Sequence, residues 1–224
     1  MTTISDIAIL LIAAFGAGVL NTIAGGGTFL TFPALVFTGM PPVAANATSA
    51  VAVFPGYLAG AFGFHNELGR FDRRALLRLC LITLAGGVVG SGLLLISSNA
   101  AFSIVVPFLL LAATLAFLLG DRIRAFAASH ARAVTPQGAL GLFAVSVYGG
   151  YFNGGLGIVL LALFALWGMT DLHGMNGLKN GLSFVLSSIS VAVFALAGLV
   201  AWPQALLMML AATAGGRPGA NCWT

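Results

Sequence analysis

Asn176, Lys179 and Asn180 form the sharpest polar group in an otherwise oily chain. Lys179 is the only basic residue between Arg132 and Arg217, and the two amides stand about one helical turn apart around it. A second polar group, Asn46-Ala47-Thr48-Ser49, adds an amide and two hydroxyls. Amides, hydroxyls and an ammonium can all donate hydrogen bonds, so the set suits a negatively charged solute. With Asp171 the nearest carboxylate, a Na⁺ or Ca²⁺ cage of oxygens has poor support. A blander reading of Lys179 is open: long basic side chains near helix ends snorkel to the membrane interface.

Two glycine clusters precede these groups. The first is Gly25-Gly26-Gly27 behind Asn21, and the second is Asn153-Gly154-Gly155-Leu156-Gly157. A glycine costs a helix about 1 kcal/mol relative to alanine, so three in a row predict a break. A break at membrane depth frees N–H and C=O groups, which must be buried in protein or line a wet cavity. Half-helix N-termini also carry partial positive charge, which favours anions. The alternative is that the glycines only let helices pack closely. Asn21 and Asn153 flank the breaks and could either cap the broken ends or touch a solute.

The elements that must hold these residues are membrane helices. Of 224 residues, 60% are hydrophobic and only 6% charged, against about 25% charged in soluble domains. Continuous apolar runs exclude a β-barrel, whose strands alternate. Spans are expected over Ile7–Thr22, Val43–Phe64 with Pro55 as a kink, Leu79–Ile96, Ala101–Leu119, Gly138–Phe152 and Gly181–Ala201, with a last run opening at Pro203. Thr28–Phe37 and Ile158–Trp167 are too short to cross and read as half-helices or re-entrant arms.

The net charge of +4 does not suggest nucleic acid, because the arginines sit in two short loops, 65–78 and 121–132. Two spans separate the loops, so both face one side, and arginine-rich short loops stay cytoplasmic. The N-terminus lacks a basic region before its apolar run, so the first segment is expected to remain as a span rather than be cleaved. Cys80 reads as a buried inert thiol, and it has no disulfide logic with Cys222. His65, His130 and His173 share no metal-ligand spacing, and Asp171 reads as a solvated turn residue. No metal, cofactor or catalytic template is expected.

A shift of 129 positions carries Gly25 and Gly26 onto Gly154 and Gly155, Gly39 onto Gly168, and Gly86, Gly87 and Gly90 onto Gly215, Gly216 and Gly219. The expectation is an all-α polytopic transmembrane bundle of two homologous repeats, 1–129 and 130–224, with broken or re-entrant helices. Whether the repeats are parallel or inverted depends on the number of crossings before Glu67. The counterpart of the span at Gly86–Gly90 meets Arg217-Pro218, a costly pair in mid-span, so the tail from about Arg217 reads as aberrant or truncated.

Asn21, Gly25-Gly26-Gly27, Pro33, Gly39 and Asn46-Ala47-Thr48-Ser49, together with Asn153-Gly154-Gly155-Leu156-Gly157 and Gly177-Leu178-Lys179-Asn180, resemble the sulfite exporter TauE/SafE family as far as about Gly216. The resemblance implies a permease of the bacterial inner membrane for small anions such as sulfite, sulfoacetate and related sulfur compounds or organic acids.

The leading expectation is therefore a transporter or facilitator of a small anion. Its site would draw on Asn21, Gly25, Gly26, Gly27, Asn46, Thr48, Ser49, Asn153, Gly154, Gly155, Gly157, Asn176, Lys179 and Asn180. Its partners would be the lipid bilayer and the solute, with a homo-oligomer compatible. A non-transporting scaffold subunit is the second reading, separable because it gives no flux when purified. A membrane enzyme is third, disfavoured by the lack of paired acid and base residues.

Overall fold

The computed structural model describes residues 4–23, 25–63, 68–69, 71–119 and 138–220. Among them the chain forms nine helices and no strand. The first three are α1 (Ile4–Ile23), α2 (Thr28–Phe37) and α3 (Pro42–Gly63). They are followed by α4 (Arg73–Ile96) and α5 (Asn99–Leu118). Beyond residue 138 come α6 (Ala139–Tyr151), α7 (Leu156–Leu166), α8 (Leu172–Leu196) and α9 (Trp202–Ala220). Among the described residues, three helices are long and apolar enough to cross a membrane: α1 over Ile4–Asn21, α4 and α8. Large apolar side chains such as Ile12, Phe37, Ile104 and Leu196 point outward, a surface that suits lipid and not water.

Local chemistry sets the helix ends. Gly39 (φ 88°) and Gly168 (φ 80°) close the two short helices α2 and α7 in the left-handed region that glycine favours. The Asp72 carboxylate accepts the Ala75 N–H at 3.0 Å and starts α4. Asp171 accepts the His173 N–H at 3.1 Å and starts α8. Two expectations are corrected here. Arg73, Arg74 and Arg78 belong to α4 and not to a loop, because Asp72 caps the helix seven residues before the apolar run at Leu79. Helix α8 begins at Leu172 and not Gly181, because Asp171 caps it there and protein covers Lys179 and Asn180.

Pro55 stays inside continuous α3, and Arg217-Pro218 inside α9. Cys80 is half-buried. The 121–132 loop, His65, His130, Cys222 and the 129/130 boundary lie outside the described residues.

The most extensive helix pairings are α1 with α9 and α4 with α6. Both use missing Cβ atoms to admit backbone. Gly18 makes room for the Ala212 carbonyl and Gly215 for the Phe15 carbonyl. On the other side, Gly86 makes room for the Phe143 carbonyl, Gly90 for that of Val147, and Gly150 for that of Gly87. Such small-residue contacts drive helix association where lipid removes the hydrophobic incentive. Helix α3 runs through the middle, packed on α8, α9, α2 and α1. Phe32 of α2 meets Phe102 of α5 and Phe152 after α6 edge-on, at 6.0 and 5.5 Å between ring centres.

Candidate functional site

The two glycine breaks touch. Gly25 has φ 78°, and a Cβ placed on it would lie 2.9 Å from the Gly157 Cα. A Cβ on Gly27 would lie 2.8 Å from the Ala17 carbonyl oxygen. Gly155, φ 71°, forms the N-terminal boundary of α7. The freed carbonyls of Gly26, Gly27, Asn153, Gly154 and Gly155 find partners nearby, whereas few of the freed N–H groups do. Gly25 N–H donates to the Leu20 carbonyl at 3.2 Å, and Leu156 N–H to that of Asn153 at 3.4 Å. Among the described residues, the N–H groups of Gly26, Gly27, Gly154 and Gly155 meet no acceptor. All four glycines are buried.

Asn153 joins three elements at this point. Its Nδ2 donates to Ser187 Oγ of α8 at 3.3 Å, and its Oδ1 accepts from the Tyr57 hydroxyl of α3 at 3.4 Å. The Tyr148 hydroxyl donates to the Gly154 carbonyl and ties down the same break. Asn21 lies against the next residue of α3: a Cβ on Gly56 would sit 3.0 Å from the Asn21 Nδ2. The Asn21 Oδ1 is buried with no partner among the described residues, as is the Thr28 hydroxyl. Neither asparagine caps a helix. Gly27 and Gly155 hold the cap positions and receive no side-chain bond, because both amides are turned toward the central helices.

The other polar group is spread out. Asn46 Nδ2 donates to the Tyr151 carbonyl at 2.9 Å, leaving its Oδ1 buried and unbonded. Thr48 Oγ1 accepts the Ala201 N–H at 3.1 Å, and Ser49 Oγ pairs with Thr31 Oγ1 at 2.6 Å. Thr48 and Ser49 therefore fasten α3 to its neighbours. Lys179 does not snorkel; it is 1% exposed and meets no acceptor among the described residues. Asn180 is buried and Asn176 half-buried. The run from Lys179 to Ser187 on α8 corresponds to about 12 Å, so the lysine stands two turns away from the breaks. Beside Leu178 lies an apolar cavity of about 210 Å³, walled also by Phe71, Leu79, Trp167 and Met169.

Tyr57, Tyr148 and Ser187 were not singled out from sequence. The only signal for Ser187 is its place in the series Ser183, Ser187, Ser190, where steps of four and three put hydroxyls on one face of an apolar helix. No group of three or more His, Cys, Asp or Glu that could hold a metal occurs among the described residues.

A probable membrane transporter protein of Haemophilus influenzae is 31% identical over 220 residues, covering 96% of this chain and 84% of that protein. One from Sinorhizobium sp. is 30% identical over 221 residues, with 96% and 82% covered. One from Escherichia coli is 25% identical over 216 residues, with 95% and 79% covered. No solved structure matches. Residues 10–223 match the family described as sulfite exporter TauE/SafE, past the Gly216 at which the resemblance in sequence was drawn. By that match, and by relatives aligned over nearly its whole length, the chain belongs to the sulfite exporter TauE/SafE family of membrane transporters.

Proposed function

We propose that the chain moves small anions, such as sulfite, sulfoacetate or related sulfur-containing and organic acids, across the inner (plasma) membrane. The observation that carries this reading is the contact of the two breaks, Gly25 against the Gly157 Cα. At this contact the N–H groups of Gly26, Gly27, Gly154 and Gly155 have no acceptor among the described residues, with Asn21 against α3 and Asn153 bonded to α3 and α8 beside them. Donors without acceptors are what a negative solute can satisfy. Lys179, two turns along α8, supplies the positive charge that draws it in.

The reading includes a duplicated unit, α1–α4 and α6–α9. Its support is the exchange of partners, α1 with α9 and α4 with α6, and the matching seats of the Phe15 and Phe143 carbonyls on Gly215 and Gly86. Rocking of one unit against the other would open the breaks to alternate sides. With the arginine-bearing ends inside, outward movement of a monoanion gains about 2.3 kcal/mol per 100 mV of inside-negative potential, so export needs no second ion.

The test is counterflow of labelled sulfite, sulfoacetate and acetate in proteoliposomes of the purified chain. Saturable exchange of at least one is expected, and Lys179→Gln should abolish it while the protein still inserts. No exchange of any of the three would favour the scaffold reading. Exchange unchanged in Lys179→Gln would remove that residue from the site.

A further inference from the structure

On the reading above, we infer that Lys179 and Ser183 together form a separate station for a monoanion, set one to two turns of α8 away from the glycine breaks. The two are four residues apart, so their side chains leave the same face of the helix, about 5–6 Å apart at Cβ. Both are fully buried: Lys179 is 1% exposed and Ser183 0%. Neither finds a partner among the described residues; the Ser183 hydroxyl makes no hydrogen bond even to its own helix. Ser188 and Ser146, by contrast, donate to the carbonyl four residues back, each at 2.7 Å. An adjacent amide, Asn180, is also buried, 8% exposed.

A buried hydroxyl left unsatisfied one turn from a buried lysine side chain is costly unless something occupies the place. The matching stretch of α3 shows what a sealed version looks like. A shift of 130, which carries Pro42 at the start of α3 to Leu172 at the start of α8, sets Ser49 opposite Lys179 and Val53 opposite Ser183. There the Ser49 hydroxyl is closed by Thr31 at 2.6 Å, and the valine offers nothing. The second half alone keeps an open donor pair.

The station carries one positive charge, so one negative charge balances it, and a second would remain buried and uncompensated. The ligand class is a monoanion presenting at least two acceptor oxygens, one toward Nζ and one toward the serine hydroxyl. Sulfonates, hydrogensulfite and carboxylates qualify; sulfate, a dianion, fits poorly.

Methanesulfonate binding to the purified full chain in detergent, read by calorimetry, tests the inference. Wild type should bind methanesulfonate at least tenfold more tightly than sulfate. Ser183→Ala should weaken methanesulfonate binding about tenfold, the loss expected of one hydrogen bond to a charged group. Ser183→Thr should restore it, and Lys179→Gln should eliminate it. Each variant's thermal midpoint without ligand shows that it folds.

Wild-type affinity retained in a folded Ser183→Ala would overturn the station and leave the transport proposal standing; equal affinity for sulfate would overturn the charge assignment. Tighter binding in Glu67→Gln than in wild type would mean that Lys179 already has a carboxylate partner, and would also overturn it. Absence of flux in wild type with binding intact would instead overturn the transport proposal.

Discussion

The two glycine breaks interrupt the same kind of helix yet are held differently. The second is fastened: Asn153 is bonded at both ends of its amide, Tyr148 holds the Gly154 carbonyl, and the Phe152 ring packs edge-on against Phe32 and Phe102. The first is not. Asn21 Oδ1 and the Thr28 hydroxyl are buried without partners, and Gly25 relies on the bare Cα of Gly157 for its fit. A fastened break keeps its shape whatever lies beside it. A break with open polar atoms can rearrange around a solute, so on the proposed reading the first break is the adaptable one and the second its support.

The largest expected effect comes from giving the loose break a side chain. Gly25→Ala must place its Cβ against the Gly157 Cα and also hold φ 78°, a conformation costing an L-residue roughly 1–2 kcal/mol before any clash. Flux should vanish and the thermal midpoint fall sharply, whereas Tyr148→Phe at the fastened break should lower the midpoint less. Equal falls would erase the contrast.

Next comes the asparagine pair. Asn153→Ala strands the Tyr57 and Ser187 hydroxyls and should cost about 1–3 kcal/mol of stability. Asn21→Ala deletes an atom that bonds to nothing, and should lower flux while leaving the midpoint near wild type. The reverse order in a paired thermal and flux measurement would exchange the roles of the two breaks. The smallest effect is that of Tyr148→Phe, which removes one hydrogen bond to the Gly154 carbonyl and should lower stability by about 1 kcal/mol.

Much of the scaffold was legible in the chain itself. Helix α2 begins and ends where the sequence places it, Thr28 to Phe37, because glycines bound it on one side and Gly39 with Pro41 and Pro42 on the other. The starts of α4 and α8 were misread for one reason. Arg73 and the polar, glycine-dotted stretch 168–180 were set outside the apolar runs, yet Asp72 starts one helix ahead of its arginines and protein covers Lys179 and Asn180 in the other. The site was less legible. Glycine spacing pointed to the breaks, but nothing local in Tyr57 announces a partner 96 residues away. For the asparagines the sequence left capping and solute contact both open, because a cap is a local device whereas the bonds of Asn153 are long-range.

The pairing of α1 with α9 bears on biogenesis. The notch at Gly18 is filled by the Ala212 carbonyl, and the one at Gly215 by the carbonyl of Phe15. The first of these helices to leave the ribosome therefore waits in the bilayer, its groove bare to lipid, until the last of them emerges.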